Sequence, residues 1–263
     1  MRRDLNYILI FLVVLASQAV RAEATISIII DDMGDRLALG RRAVNLPGIL
    51  TYAFLPHAPH SKFLAEQAHE QQKQVMLHQP MSAESHRKMG PGGLNQGMNG
   101  AELATILADN LASVPYAEGV NNHMGSLLTQ QKPIMDTFMH LLAQHGNLFF
   151  VDSRTTSASV ALTEARENDV ASTARDIFLD NTRSVEMINR QLDALIKKAK
   201  ARGFALAIGH PYRETLEVLE ERLPLLHEQG INLVRASDYI ARKYKEKFSW
   251  QTSLSPSHPV AKN

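Results

Sequence analysis

The chain has 263 residues, 44% hydrophobic and 21% charged, with 28 Lys and Arg against 27 Asp and Glu and a formal net charge of +1. That suits one large domain with a sizeable core, and the lack of a broad basic stretch argues against a nucleic-acid partner. There is no cysteine, which excludes disulfides, thiolate metal ligands and cysteine nucleophiles.

Residues 1–22 read as a signal peptide. Arg2 and Arg3 form a positive start diluted by Asp4, residues 7–14 are apolar, and Val20-Arg21-Ala22 puts small residues where a signal peptidase cuts. The apolar part is too short for a comfortable membrane span. The expected product is periplasmic or secreted, with no stable membrane span after cleavage.

From residue 23 to 248 one domain is expected. Strand candidates lie at 25–30, 50–55, 74–77, 119–122, 147–151, 176–179, 204–208 and 231–234. Longer segments with helical spacing separate them. In 101–113, Leu103, Ile106, Leu107 and Leu111 share a face. Segment 133–145 opens on Pro133 and stops before Gly146, 184–202 ends in a Lys/Arg-rich turn, and 214–229 stops at Gly230. Alternating strand and helix means a mainly parallel sheet. The expected architecture is α/β: a single (β/α) barrel, distorted or incomplete, with about seven parallel strands. A doubly wound open sheet is the alternative. Segment 82–100, rich in Gly, Met and polar residues, reads as a long functional loop. Segment 153–174 is polar, and 249–263 reads as a disordered tail.

The chemistry sits just after the strands. The first ends in Asp31-Asp32-Met33-Gly34, the third in His78-Gln79-Pro80-Met81 and the fourth in Asn121-Asn122-His123-Met124-Gly125-Ser126. The fifth ends in Asp152-Ser153-Arg154, the sixth in Asp180-Asn181 and the seventh in Gly209-His210-Pro211. A parallel barrel gathers these ends on one face. Imidazole with carboxylate suits Zn²⁺, with Fe²⁺, Co²⁺ or Ni²⁺ also possible. Three protein ligands and an open position would activate a water. A second carboxylate could take its proton and an opposing His could protonate a leaving amine. Each residue has a plainer explanation. His57, beside Pro59 and His60, reads as surface. Asp152 could cap a helix, Arg154 could pair with an Asp, and Asp180 could be structural. His123 between polar residues, and His210 in a Gly–Pro turn, are hard to explain as core.

These motifs, in this order, resemble the divergent polysaccharide deacetylases, a NodB-like branch of the glycoside hydrolase/deacetylase superfamily. The resemblance spans residues 25–245. It implies a distorted (β/α) barrel and a metal-dependent hydrolase that removes acetyl groups from a polysaccharide or peptidoglycan-like glycan. It further implies Asp31 as base, Asp32 and His78 as metal ligands, His210 as acid, and Asp152 as the residue orienting His210. The family's second motif has two His four residues apart; here Ser82 replaces the second, and His123 is expected to supply the missing ligand. The role of the Arg that holds the base is either vacant here or passes to Arg154. Zinc is the expected ion. Two other readings stay open: a non-catalytic protein that binds glycan or an envelope partner, and glycosidic hydrolysis by a distant carboxylate pair such as Asp31 and Asp152. An aromatic content of 6% does not suggest a stacking groove for a pure binder.

Overall fold

Ile26, Ile28, Ile29 and Ile30 are all fully buried. A strand loses water from both faces only when something covers each, and here one side is covered by helices and the other by the inside of a barrel. The computed structural model describes residues 24–85 and 87–253. The chain runs β1 (Ala24–Met33), α1 (Leu37–Val44), β2 (Thr51–Phe54), α2 (Ser61–Glu70), β3 (Gln74–Met81), α3 (Gly100–Ser113), β4 (Ala117–Met124), α4 (Lys132–Gln144) and β5 (Phe149–Asp152). It continues through α5 (Ala161–Glu167), β6 (Ser172–Ala174), β7 (Ile177–Phe178), α6 (Val185–Arg202), β8 (Phe204–Gly209), α7 (Arg213–Arg222), β9 (Ile231–Leu233) and α8 (Ala236–Ser253).

Every strand pair is parallel, in the order β6-β5-β4-β3-β2-β1-β8-β7. β9 pairs with the first residues of β1, while β2 pairs with its last ones. The result is a distorted (β/α) barrel, curled and open between its end strands β6 and β7. The chain itself crosses that gap. Arg175 N still donates to Asp152 O of β5, and Asp176 N already donates to Leu206 O of β8.

Strand parity separates two cores. Ile26, Ile28 and Ile30 face the helices together with Leu77, Val120 and Phe150. Ile29, Ala53, Met76, Phe149, Val151, Leu206 and Ile208 face inward. Val234 and the start of α8, through Ala236, Tyr239 and Ile240, plug the inner core from below. Gly119 makes room there, since a Cβ on it would lie 2.5 Å from the Phe149 ring. Polar positions beyond the inner layer therefore open toward one mouth of the barrel.

Several local expectations change. Segment 153–174 holds α5 and the short strand β6, which a Ser/Thr/Ala-rich sequence conceals. The helix expected over 214–229 ends at Arg222, where a 3₁₀ turn over Leu223–Leu225 begins around Pro224. The stretch 1–22 lies outside the described residues; of 249–263, α8 takes in residues as far as Ser253 and the remainder lies outside. Among the described residues no helix is long and apolar enough to cross a membrane.

The 82–100 loop is tied to the barrel. Leu94 is fully buried and bridges Met81, with Leu94 N donating to Pro80 O and Ser82 N to Leu94 O. Gly92 O accepts from Gln79 Nε2 at 2.9 Å and Asn110 Nδ2 at 2.8 Å. Gly92 has φ +70°, and a Cβ on it would sit 2.0 Å from Asn110 Oδ1. Gly92→Ala should therefore lower stability by about 1–3 kcal/mol, read as a lower urea midpoint; an unchanged midpoint would contradict this anchoring.

Candidate metal and acid–base site

In a regular strand, adjacent side chains point to opposite faces. Asp31 and Asp32 nevertheless line one cavity of about 530 Å³, with His78, His123 and His210. A bulge makes this possible. Ile30 pairs with Tyr52 but Met33 with Phe54, so β1 carries one extra residue across this step. Asp32 absorbs it in the left-handed region at φ 52°, an uncommon conformation for a non-glycine residue. Met124 after the β4 histidine and Arg154 after β5 also turn through positive φ, at 56° and 53°. Such backbone strain gathers at functional sites.

The Asp32 carboxylate meets two imidazoles. His123 Nδ1 lies 2.9 Å and His78 Nε2 3.1 Å from Asp32 Oδ1, and the two nitrogens are 3.2 Å apart. Yet Asp32 Oδ1 is buried without a hydrogen bond of acceptable geometry. A chain of fixed protons explains why. Asn121 Nδ2 donates to Asp31 Oδ1 at 2.7 Å, which leaves Asn121 Oδ1 to accept from His78 Nδ1 at 2.8 Å. In its neutral form, as a metal ligand must be, His78 then presents a lone pair on Nε2. It points at an oxygen and at a second imidazole nitrogen. His123 Nδ1 can donate to His78 Nε2 across their 3.2 Å, but Asp32 Oδ1 then faces both nitrogens with no N–H aimed at it, and a cation among the three atoms would satisfy them all. Orientation of a ligand imidazole by an amide or carboxylate behind it is the usual metal-site arrangement. The donor set of Asp32, His78 and His123, all within 4.8 Å of one another, fits a divalent ion of the zinc type.

His210 occupies the facing wall. Its Nδ1 is 2.9 Å from Asp180 Oδ1, and its backbone N donates to Asp180 Oδ2 at 2.6 Å. Thr215 Oγ1 donates to the same oxygen at 2.8 Å. This leaves His210 Nε2 free toward the cavity, 3.8 Å from Asp32 Oδ2. Burial opposes protonation of His210, but the Asp180 bond and the charges of Asp32, Asp180 and Asp31 outweigh it and push the pKa up to about 9.

The two adjacent carboxylates diverge. Burial raises Asp31 above the usual carboxylate range, against the opposing charges of His78 and His210 and the Asn121 bond. Burial would raise Asp32 too, but its contacts with His123 and His78 hold it well below that range. One carboxylate is thus suited to accept a proton and its neighbour to stay ionised. His78 is shifted upward because Asp31 and Asp32 outweigh its burial.

The orienting role assigned to Asp152 falls to Asp180. Asp152 shares the helix-facing parity of Phe150, so its carboxylate turns outward and accepts from Arg154 N at 2.7 Å and Ser159 Oγ at 2.9 Å. Asp180 follows Phe178 at the cavity-facing parity of β7. Arg154 lines the cavity from an exposed position and its charge acts on Asp152, whereas Arg175, half-buried in the chain crossing, acts on both Asp31 and Asp152. The sequence signal for Arg175 was weak, since it precedes a two-residue strand. His57 bonds Asn110 and Asp109 instead of joining the histidine group. Ser82 supplies no ligand: its backbone carbonyl accepts from Leu127 and Leu128, and its hydroxyl reaches Gln96.

A parallel barrel with an Asp–His–His cluster and an Asp-held histidine at its strand ends defines a protein with a candidate metal site at the mouth of the barrel. The divergent polysaccharide deacetylase profile matches residues 28–240, and the chain belongs to that family. An uncharacterized protein of Haemophilus influenzae is 36% identical over 207 residues, covering 79% of this chain and 74% of that one. The crystal structure of an uncharacterized protein, ATU2773 from Agrobacterium tumefaciens, has a TM-score of 0.79 at 19% identity, covering 82% of this chain and 89% of that one. The peptidoglycan deacetylase PdaC of Bacillus subtilis has a TM-score of 0.52 at 13% identity, covering 89% and 99%. These two solved structures share the fold.

Replacing Asp180 by Asn should lower the His210 pKa from about 9 toward the ordinary value of about 6.5, read by NMR titration of the ring; an unmoved pKa would remove Asp180 from its role. The sign for stability follows. The folded pKa lies above the unfolded one, so the contribution of His210 is complete below about pH 6.5. It is lost as pH rises through about 9.

Proposed function

We propose that the protein is a metal-dependent carbohydrate deacetylase that hydrolyses N- or O-acetyl groups on an envelope polysaccharide. What supports this reading above all is the convergence of Asp32, His78 and His123, with Asp31 beside them and His210 opposite. Zinc is the ion best suited to one carboxylate and two imidazoles, and when bound it would polarise the acetyl carbonyl and lower the pKa of water.

The chain's own groups divide the proton work. Asp31, raised by burial and steadied by Asn121, takes the proton of the attacking water. His210, whose protonated form the Asp180 carboxylate favours through Nδ1, gives a proton from Nε2 to the departing amine or alkoxide. Asp32 stays ionised and anchors both imidazoles. Acetate and a free amine or hydroxyl leave the site. The N-terminal signal pattern supports a periplasmic or secreted enzyme, and an envelope glycan such as peptidoglycan is the proposed substrate.

Zinc-loaded protein should release acetate from acetylated oligosaccharides or peptidoglycan. His210→Ala should lower kcat by about 100-fold or more while metal content stays at the wild-type level. Loss of metal in that variant would make His210 a ligand. No acetate release from any acetylated glycan would sink the catalytic reading in favour of a binding protein.

A further inference from the structure

Arg87, Arg154 and Arg175 open into the same cavity as Asp31 and His210. The ion pairs there run between Asp31, Asp32 and Asp180 and the three histidines. Among the described residues, no carboxylate lies within ion-pair distance of the Arg154 or Arg175 guanidinium. A cation in a concave site needs compensation, and a cluster of unpaired ones concentrates anions.

Arg175 is built into place. Its Nε donates to Ser153 O at 2.7 Å and Nη2 to Arg154 O at 3.1 Å, and its guanidinium lies 4.6 Å from the centre of the Phe178 ring. Burial disfavours its charge, the charges of Asp31 and Asp152 support it, and that of Arg154 opposes it. A guanidinium carries five N–H donors, so the two carbonyls leave others available. Arg154 is placed beside it by a left-handed backbone whose N–H is held by Asp152 Oδ1. The Arg154 side chain opens into the same cavity and its charge opposes that of the fixed Arg175 guanidinium, and an oxyanion that accepts from both would remove the repulsion. The carboxylates cannot meet this need. Asp32 is committed to the imidazoles, and a divalent ion would offset the charges of Asp31 and Asp32 together. With the ion bound, the cavity carries a surplus of positive charge, although the chain as a whole is nearly neutral.

We propose that the acetylated substrate is an anionic glycan, with a carboxylate or phosphate oxyanion near the acetyl-bearing position gripped by Arg154 and Arg175. This rests on the deacetylase reading. It predicts that neutral acetylated sugars are poor ligands even when their acetyl group is equivalent.

Calorimetric binding to the zinc-loaded His210→Ala protein, which keeps the ion and turns over slowly, tests this. One pair of probes is the neutral N-acetylglucosamine tetramer against the alternating N-acetylglucosamine/N-acetylmuramate tetrasaccharide, which bears carboxylates. The other pair is N-acetylglucosamine against its 1-phosphate. The anionic member of at least one pair should bind about tenfold tighter or more, with a preference that falls as salt rises. The pair that shows it distinguishes carboxylate from phosphate. Arg154→Gln, at an exposed position, should reduce the preference about tenfold, and Arg175→Gln should do the same where it folds. Equal binding within both pairs, or a preference untouched by Arg154→Gln, would overturn the proposal. Acetate release by zinc-loaded protein separates the two claims. Anion preference without release would sink the deacetylase reading alone, and release without preference would sink this one alone.

Discussion

One extra residue in β1 organises the site. Without the bulge, strand alternation would send Asp31 inward and Asp32 out among the helices. With it, two adjacent carboxylates share a cavity and divide their labour. Asp32 accepts an unfavourable backbone at φ 52° and meets both imidazoles. Asp31 remains in the strand, buried, with Asn121 on one oxygen. The same Asn121 fixes the proton on His78, so its lone pair must face the cavity. Bulge and amide together create a place where negative ends converge. A cation is the natural occupant of such a place.

The barrel supplies the remaining geometry through parity. Asp31, His78, Asn121 and His123 continue the inward-facing rows that lower down contribute Ile29, Met76 and Gly119. His210 continues the row of Leu206 and Ile208. The inner core is apolar and closed below by Tyr239 and Ile240. Polar side chains one or two residues further up can reach only the mouth. There they are desolvated enough to shift their proton affinities and still line an open cavity. The gap between β6 and β7 serves the same end. It puts Arg175 in the chain crossing and Phe178 and Asp180 immediately after it, all on the cavity side.

Much of this was legible in the sequence because β1, β3, β4 and β8 are apolar runs that stop at polar residues. Such runs mark both the strand and its functional end, so Asp31, Asp32, His78, His123 and His210 could be picked out directly. The placement of His123 in the polar cavity was also readable, since an imidazole among Asn, Gly and Ser has no apolar reason to exist. Asp152 does not orient His210, because strand parity turns its side chain away from the cavity. Phe150 faces the helices, so Asp152 must too, and counting in twos from the Phe149–Val151 inner row would have shown it. Arg175 and β6 were missed for another reason. A three-residue strand and a two-residue strand flanking a crossing leave no periodicity to detect. The role of Asp180 depends on a contact made across a separation of 30 residues, which no local pattern carries.

The central claim is that Asp32, His78 and His123 form one ligand set, with His123 standing in for an absent second-motif histidine. X-ray absorption at the zinc edge of the zinc-loaded protein tests this most directly, beside His123→Ala. The account predicts a first shell with two imidazole nitrogens and a carboxylate oxygen at about 2.0–2.2 Å, and one imidazole fewer in the variant. A shell without imidazole, or one that His123→Ala leaves unchanged, would contradict it.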